Sequence, residues 1–346
     1  SLESGTGGLP RAAHRGLLAL RKEDPMVEFT TIDAGEVKLR AVVQGQGPLV
    51  IMVHGFPESW YSWRHQIGPV AEAGFTACAI DVRGYGGSDK PHPVADYAMP
   101  HMVSDLMGVA DALSPGKPAI LLGHDWGAPI VWNSVLSRPD RFSAVGALSV
   151  PWTGVGQRSF SDVFNEVFTA RNKFFYQAYF QKEGVAEAEA EANVRDFLRK
   201  FYYAISGDAP DGTWPNNKTA DARLLEGLVD PDPFPAWMTE ADLDYYTAEF
   251  EASGLRGPIN RYRNHDRDFA WQQAFKDRKI EQPAFFVAGN RDLAFNMLGR
   301  SDPIELMRAQ VPNLQVAEVL DGCGHWTQQE RPAEVNALLI PWLKGL

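Results

Sequence analysis

The sequence predicts an α/β fold: a mostly parallel, eight-stranded sheet with helices on both faces and an inserted helical cap. Short, continuously apolar runs alternate with amphipathic segments in two stretches, 26–150 and 271–346, as expected of parallel strands buried on both faces. Residues 151–270 between them are aromatic-rich and helical in pattern, without a clear buried strand. The run Gly123–Gly127 (GHDWG) also has the spacing of a tight strand-to-helix turn.

The individual elements follow from apolar periodicity and turn residues. The first two strand-like runs flank a turn at 33–36 and form a plausible hairpin. Helices are indicated at 99–113, at 126–137 and from Pro332 onwards. The eight strand-like runs are 27–32, 37–43, 49–53, 75–80, 119–122, 144–150, 284–288 and 315–320.

These elements divide the chain into three parts. Residues 26–150 and 271–346 form the predicted core, and residues 151–270 form the predicted cap. Residues 1–25 are Gly- and Ser-rich and then basic, and are interpreted as a mobile extension or a vector-derived remnant. The apolar patch at 17–20 is too short for the apolar region of a secretory signal, so a cytoplasmic protein is the default expectation.

Composition argues against several classes of protein. The net charge of −11 over 346 residues disfavours a nucleic-acid binder, which needs clustered Lys and Arg. No apolar run approaches the roughly 20 residues that a membrane span needs. The two cysteines do not suggest a disulfide scaffold. No metal-ligand spacing is present, so we expect neither a metal nor an organic cofactor.

Asp125 lies at the centre of the GHDWG turn, where a hydrolase with such a turn normally has serine. A carboxylate is ionised at neutral pH without help from a base. It can displace a leaving group at saturated carbon and leave an ester on the enzyme. The pentapeptide alone fits equally well a Gly-rich turn with an aspartate near a helix N-terminus, so the surrounding residues decide between the two interpretations.

A general base and its acidic partner are expected after later strands. His325 lies in the loop Gly322–Trp326 (GCGHW) past the last predicted strand, and Asp292 follows the strand before it. A lone loop histidine is usually a surface residue, and such an aspartate is usually a turn residue. The chain order nucleophile, acid, base is nevertheless that of α/β hydrolases, and the loop after Val150 offers no rival carboxylate. Asp292 is therefore predicted to hold the His325 tautomer and to stabilise the imidazolium.

An oxyanion hole is expected from two backbone N–H groups. The run His54–Trp60 (HGFPESW) follows the apolar strand 49–53, and the residue after its glycine, Phe56, supplies one donor. The residue after the nucleophile, Trp126, supplies the other. A simple Gly-Pro turn is the alternative interpretation of this loop.

Two tyrosines of the predicted cap, Tyr176 and Tyr262, lie in aromatic and basic surroundings. On composition alone either is more simply a packing residue, because the cap contains several other tyrosines. Six motifs in the chain nevertheless form a specific set. They are HGFPESW (54–60), DVRGYG (81–86), GHDWGA (123–128), YQAYFQ (176–181), RGPINRYR (256–263) and GHWTQ (324–328).

With these motifs, the chain from about Met26 onwards resembles the soluble epoxide hydrolases of the α/β-hydrolase fold. The resemblance implies that Tyr176 and Tyr262 are the two cap tyrosines that activate the epoxide oxygen. It also implies that Asp125 forms a glycol ester, which His325 hydrolyses with water to give a vicinal diol. Arg261 departs from the family, which more often has tryptophan there, and this puts the local pocket wall in doubt.

Two other functions stay open at this stage. A haloalkane dehalogenase also uses an aspartate nucleophile, often followed by tryptophan, but commonly has asparagine at the position of Phe56 to bind halide. A non-catalytic binder of apolar ligands on the same fold would also suit an aromatic cap. The intact set of Asp125, Asp292 and His325 argues against the binder.

The sequence leaves the substrate undefined beyond a small apolar epoxide and water. Regioselectivity, enantioselectivity and the biological role, such as detoxification, depend on cap packing and context, and a homodimer is compatible with the sequence. The candidate pocket residues are Trp152, Phe175, Gln177, Trp237 and Met297.

Overall fold

The structure is a computed structural model that describes residues 15–18, 27–298 and 302–346. These residues form strands β1 (Arg15–Leu18), β2 (Val27–Asp33), β3 (Lys38–Gln44), β4 (Leu49–Val53), β5 (Thr76–Ile80), β6 (Ala119–His124), β7 (Phe142–Leu148), β8 (Ala284–Gly289) and β9 (Leu314–Leu320). All of the described strands belong to one sheet, in the order β1-β2-β3-β5-β4-β6-β7-β8-β9.

Most of this sheet is parallel. Strands β5, β4, β6, β7, β8 and β9 pair in parallel, whereas β1, β2 and β3 run antiparallel at one edge. Every residue of β4, β6 and β8 is buried. Because helices cover both faces of such strands, their sequences are continuously apolar rather than alternating. The predicted mostly parallel sheet of eight strands, β2 to β9, is confirmed.

One strand was not predicted. Residues Arg15–Leu18 pair antiparallel with β2, with Arg15 opposite Thr30 and Leu18 opposite Val27. The backbone of these residues therefore extends the antiparallel edge of the sheet. The rest of the segment 1–25 lies outside the described residues.

Helices cover the sheet and form the cap. Among the described residues, no helix is both long enough and apolar enough to cross a membrane. The helices are α1 (Arg64–Glu72), α2 (Met99–Leu113), α3 (Gly127–Ser137), α4 (Phe160–Val167), α5 (Tyr176–Tyr179), α6 (Val185–Glu191), α7 (Val194–Ala204), α8 (Glu240–Ser253), α9 (Arg256–Asn260), α10 (His265–Gln272), α11 (Pro303–Gln310), α12 (Thr327–Glu330) and α13 (Pro332–Lys344).

The predicted helical cap lies between β7 and β8, a segment that the structure describes throughout and that contains α4 to α10 without a strand. Its longest helix, α8, begins with a reciprocal cap between Thr239 and Asp242 and ends at Gly254. The side chains of this cap reach the core through buried hydrogen bonds. The Tyr202 hydroxyl donates to the carbonyl of Pro57 at 2.5 Å, which fixes α7 above the loop that follows β4.

The carboxyl ends of the parallel strands meet at one edge of the sheet, under the cap. Open parallel sheets bind their ligands at this edge. The residues that follow β4, β6, β7, β8 and β9 there include Phe56, Asp125, Ser149, Asp292 and His325.

Candidate active site

Asp125 occupies the sharp turn between β6 and α3. Its backbone is left-handed, with φ of 52°, a conformation that non-glycine residues adopt rarely. Glycines on both sides make the turn possible. A Cβ at Gly127 would lie 2.0 Å from the carbonyl oxygen of Val53, and one at Gly123 would lie 2.2 Å from the carbonyl oxygen of Gly127. These close backbone contacts leave no space for a side chain at Gly123 or Gly127. With glycine at both positions, the turn places Asp125 at the edge of the sheet.

The two carboxylate oxygens of Asp125 have different partners. Oδ1 accepts a hydrogen bond from the backbone N–H of Phe56 at 2.7 Å, and Oδ2 lies 3.1 Å from Nε2 of His325. Burial by itself raises the pKa of Asp125, but the hydrogen bond and charge of His325 and the charge of His124 bring this pKa below its ordinary value. Asp125 is thus an ionised carboxylate at neutral pH.

His325 lies between two carboxylates. Its Nδ1 is 2.9 Å from Oδ1 of Asp292 and 3.1 Å from the hydroxyl of Ser149. Burial alone lowers the pKa of His325, but the charges of Asp292 and Asp125 and their hydrogen bonds raise it well above the ordinary value. The resting site therefore contains an imidazolium between two carboxylates, with Nε2 aimed at Asp125.

The loop that carries His325 is held by backbone hydrogen bonds to both the cap and α12. The backbone N–H of His325 donates to the carbonyl of Ile205 at 2.9 Å. The buried carboxylate of Glu330 accepts from the N–H groups of Gly324, Trp326 and Gly207 at 3.0, 3.1 and 2.9 Å. Since Gly207 and Ile205 belong to the cap, these hydrogen bonds connect the cap to the loop and helix α12 around His325.

A buried acid and a buried histidine support the site from below. Glu58 accepts from the backbone N–H of Gly55 and lies 2.8 Å from Nδ1 of His124, whose Nε2 lies 2.7 Å from the carbonyl oxygen of His325. Burial lowers the pKa of His124, yet the charge of Glu58 raises it above the ordinary value. This pair connects the loop of Phe56 to the loop of His325.

Tyr176 and Tyr262 lie side by side above Asp125, with ring centroids 5.8 Å apart. The ring of Tyr262 also contacts Phe56 at 5.2 Å and Trp126 at 5.3 Å, edge-on in both cases. Burial raises the pKa of both phenols, and the charge of Asp125 raises both further. Both hydroxyls are therefore protonated and available as hydrogen-bond donors.

Gln181 fixes the spacing of the two tyrosine segments. Its Nε2 donates to the carbonyl of Gln177 at 2.8 Å and to the carbonyl of Tyr262 at 2.9 Å. Arg263 adds a second link, because its Nε donates to the carbonyl of Phe180 at 2.7 Å. Short helices alone would not hold this arrangement, so these side chains determine where the two phenols lie.

Arg261, the residue that departs from the family pattern, lies behind the pocket wall rather than in it. Its guanidinium stacks over the ring of Trp126 at 4.5 Å and forms a buried ion pair with Asp268. Asp268 also accepts from the backbone N–H of Met99 at 2.7 Å. The arginine therefore supports Trp126, whose backbone N–H lies at the start of α3, where helix N–H groups have no helical partner.

Two adjoining cavities meet at Asp125 and Tyr176. The Phe174 cavity, of about 570 Å³, also contains His325, Asp292 and Tyr262 in its wall. The Trp152 cavity, of about 650 Å³, extends from Trp126 along the other side. Four of the candidate pocket residues lie here: Phe175 in the Phe174 cavity, Trp152 and Gln177 in the Trp152 cavity, and Met297 in both.

Trp237 was predicted to line the substrate pocket, and this prediction is wrong, because Trp237 lines neither of the two active-site cavities. It lines a separate cavity together with His65 and Glu330, and its ring packs against Phe234 at 5.9 Å. Trp237 lies in an irregular, Pro-rich segment before α8, where no helical or strand period indicates the direction of a side chain.

Several residues of the site were not predicted from the sequence. Ser149 could have been found, because it follows β7, which lies between the strands that present Asp125 and Asp292. The cavity-lining residues Phe201, Ile205 and Trp214 gave no signal, since aromatic and aliphatic residues of a helical cap are usually core. Within the described residues, no group of three or more His, Cys, Asp or Glu side chains is placed to hold a metal ion.

The sharp turn at Asp125, the Asp125–His325–Asp292 arrangement and the cap define a class of protein. Residues 48–332 match the α/β hydrolase fold family, and the chain belongs to it. Epoxide hydrolase A of Mycobacterium tuberculosis is 40% identical in an alignment of 328 residues that covers 91% of this chain and 97% of that protein.

Solved structures give the same result. An epoxide hydrolase from an endophytic Streptomyces superposes with a TM-score of 0.85 at 43% identity, covering 97% of this chain and 96% of that one. Epoxide hydrolase A from Mycobacterium thermoresistibile superposes with a TM-score of 0.85 at 38% identity, covering 92% and 98%. Within the α/β hydrolases, the chain is therefore a member of the epoxide hydrolases.

Proposed function

We propose that this chain hydrolyses epoxides to vicinal diols through a covalent ester on Asp125. The observation that carries the proposal is the composition of one cavity wall. An ionised carboxylate, a histidine–aspartate pair and two adjacent protonated phenols face the same space. A carboxylate can attack the ring carbon while a phenol donates to the ring oxygen, so the cavity holds the groups that both ends of the breaking C–O bond require.

In the first step, Asp125 attacks one epoxide carbon and the C–O bond to that carbon breaks. The electron pair goes to the ring oxygen, which takes a proton from Tyr176 or Tyr262. Ester formation removes the negative charge of Asp125. Since that charge raises the pKa of His325 and of both phenols, the pKa of each group falls at this moment. The phenols become better proton donors, and His325 releases its proton to the phenolate.

In the second step, neutral His325 takes a proton from water, and the resulting hydroxide attacks the ester carbonyl of Asp125. The developing oxyanion is stabilised by the backbone N–H groups of Phe56 and Trp126. Collapse breaks the acyl C–O bond, and the diol oxygen takes the proton left on the newly added oxygen. Asp125 is again a carboxylate and His325 again an imidazolium, so all atoms and charges balance over one cycle.

Asp292 and Ser149 act on Nδ1 of His325 and keep Nε2 directed at the ester. The phenols also distinguish this reaction from halide displacement. A ring oxygen stays tethered to the substrate next to the donors, whereas a departing halide would need a donor near Phe56, whose side chain has none. All the relatives and structures described above carry the name epoxide hydrolase.

The proposal is tested by an assay of diol formation from an aryl epoxide, run beside halide release from a haloalkane. Wild-type protein is expected to form diol and release no halide, and Asp125→Ala is expected to form none. Asp140→Ala, a change at an exposed carboxylate paired with Arg138 on the surface, is the matched control and should retain full activity. Wild-type protein that binds epoxides without converting any of them would contradict the proposal.

A further inference from the structure

Gln329 lies between the cap and the core, and both ends of its side-chain amide are hydrogen-bonded. It belongs to α12 and is 1% exposed. Its Nε2 donates to Oε1 of Glu58 at 3.2 Å. Its Oε1 accepts from Nη1 of Arg64 at 2.7 Å and from the hydroxyl of Tyr246 at 3.2 Å. Because a guanidinium can only donate and a carboxylate can only accept, these partners fix the orientation of the amide.

Glu58, the acceptor of this amide, connects two loops of the active site. Burial raises the pKa of Glu58, but the charge and hydrogen bond of His124 bring it below its ordinary value. The oxygen Oε2 of this carboxylate accepts from the backbone N–H of Gly55 and contacts His124, whose Nε2 reaches the carbonyl oxygen of His325. The other oxygen is the one that Gln329 holds.

The bond from Tyr246 brings helix α8 of the cap into the same network. The single hydroxyl proton of Tyr246 goes to Gln329, whose oxygen can only accept. The Ser62 hydroxyl, 2.6 Å from the Tyr246 oxygen, is therefore the donor of that pair. A directional chain of hydrogen bonds thus runs from Ser62 through Tyr246 and Gln329 to Glu58. All four side chains are at most 1% exposed, so bulk water does not compete for these bonds.

We propose that Gln329 is a positioning residue, which couples helix α8 of the cap to the two loops that carry Phe56 and His325. It acts through Glu58 and touches neither the substrate nor the reacting atoms. This assignment rests on the proposed function and adds to it a residue that sets the rate of one step.

The affected step is the hydrolysis of the ester. In that step the backbone N–H of Phe56 stabilises the developing oxyanion, and His325 takes a proton from water. Both groups lie on the loops that Glu58 connects. Ring opening depends instead on the carboxylate of Asp125 and on the two phenols of the cap. A displaced Glu58 should therefore slow the second step far more than the first.

The test is Gln329→Met, which keeps the length of the side chain and removes both amide groups. Ester hydrolysis should slow by about tenfold, because small shifts of catalytic groups lower the rate, while ester formation should stay at the wild-type rate. Rapid-quench single turnovers measure the two steps separately. In the steady state kcat and KM should fall together, because the ester accumulates. Partial unfolding would lower kcat at an unchanged KM.

Gln328→Met is the matched control. Gln328 is the neighbouring residue of α12 and is equally buried, but neither end of its amide has a hydrogen-bond partner in the part of the chain that the structure describes. Its replacement removes the same groups from the same helix without breaking the chain from α8 to Glu58. Both steps should keep their wild-type rates in this variant.

Tyr246→Phe tests the cap end of the chain and removes only one oxygen atom. Ester hydrolysis should slow by about threefold, as expected for the loss of one hydrogen bond. Tyr245→Phe is its control, because the Tyr245 hydroxyl accepts from Nε1 of Trp60 at 2.7 Å instead. In the Gln329→Met background, Tyr246→Phe should cause no further loss, because the residue through which it acts is already gone.

Three outcomes would overturn the positioning role while wild-type protein still hydrolyses epoxides, and they would leave the proposed function intact. The first is equal rates of ester hydrolysis in Gln329→Met and Gln328→Met. The second is an equal slowing of both steps in Gln329→Met. The third is a loss from Tyr246→Phe that is the same with and without Gln329. Wild-type protein that hydrolyses no epoxide would overturn the proposed function and this role together.

Discussion

The core and the cap position their reactive groups by different means. In the core, Asp125 follows the fully buried strand β6, and close backbone contacts at its flanking glycines set its direction. In the cap, Tyr176 begins a four-residue helix, and Tyr262 lies in a three-residue 3-10 helix. Elements this short have little stability of their own, so hydrogen bonds from individual side chains hold the phenols.

The two ways of holding these groups make the two proposed steps sensitive to different changes. In the proposed mechanism, His325 and Asp292 of the core hydrolyse the ester that Asp125 forms, and the backbone of the sheet keeps these groups in register. The cap tyrosines assist ring opening in that mechanism, and their register depends on single residues such as Gln181. Changes of His325 or Asp292 should therefore stop the second step, whereas changes of the residues that hold these tyrosines should slow the first.

The largest effect is expected for His325→Gln, which removes the base of the core. We expect kcat to fall by about 10⁴-fold, with the ester on Asp125 accumulating because ring opening does not need the base. Intact-protein mass spectrometry after mixing with epoxide measures the added mass. His65→Gln, at a histidine outside both active-site cavities, is the control. A His325→Gln protein that stays unmodified would contradict the division of steps between core and cap.

Asp292→Asn should reduce kcat by about 10³-fold, less than loss of the base, because Ser149 still contacts Nδ1 of His325. Adding Ser149→Ala to this variant should deepen the loss, and Ser149→Ala alone should cost only a few-fold. Rapid-quench measurement of ester formation and decay separates the steps. Equal activity of the single and double variants would show that Ser149 does not position the base.

The same substitution has a pH signature. The raised pKa of His325 contributes stability that is fully present below the ordinary imidazole pKa of about 6.5 and is lost as pH rises through the folded-state pKa. Because the charge of Asp292 is the leading cause that raises this pKa, Asp292→Asn lowers it, and the stabilisation should be smaller and its loss complete at a lower pH. Histidine NMR titration and urea unfolding across pH measure both; an unchanged His325 pKa in the variant would contradict the assignment.

Tyr176→Phe and Tyr262→Phe test the cap side of the comparison. Each should slow ester formation by about 10²-fold, because one of two donors to the ring oxygen is lost, and the double variant should be slower still. No ester should accumulate, in contrast to His325→Gln. Single-turnover kinetics measure this step, and accumulation of ester in either variant would place the phenols in the second step instead.

The smallest effect is expected for Gln181→Met, which removes the side chain that ties the two tyrosine segments together. We expect ester formation to slow by about tenfold. Without this side chain the phenols shift relative to the ring oxygen, and a small misplacement of a reacting group lowers the rate. Gln273→Met is the matched control, because its Nε2 also donates to a carbonyl four residues earlier, that of Phe269, away from the site. Equal rates in both variants would show that the cap segments hold their register without Gln181.

The same contrast explains what the sequence could and could not predict. Strands such as β4 and helices such as α2 were predicted to the residue, because buried parallel strands and amphipathic helices leave periodic patterns. Asp125, Asp292 and His325 were predicted as a set, since each follows a recognisable strand and the strand ends meet at one edge. In the cap, no periodic pattern indicated the direction of Trp237. The hydrogen bond that Nε2 of Gln177 donates to the hydroxyl of Tyr176 at 2.8 Å depends on packing that no local pattern encodes.

The covalent role of Asp125 is tested by a single turnover of excess enzyme over epoxide in water enriched in heavy oxygen. The hydroxide that opens the ester adds its oxygen to the carboxyl carbon of Asp125, and the original carboxylate oxygen leaves with the diol. We expect the label in the peptide containing Asp125 and an unlabelled first diol. Label in the first diol, with Asp125 unlabelled, would mean that water attacks the epoxide directly, and the covalent role of Asp125 would be wrong.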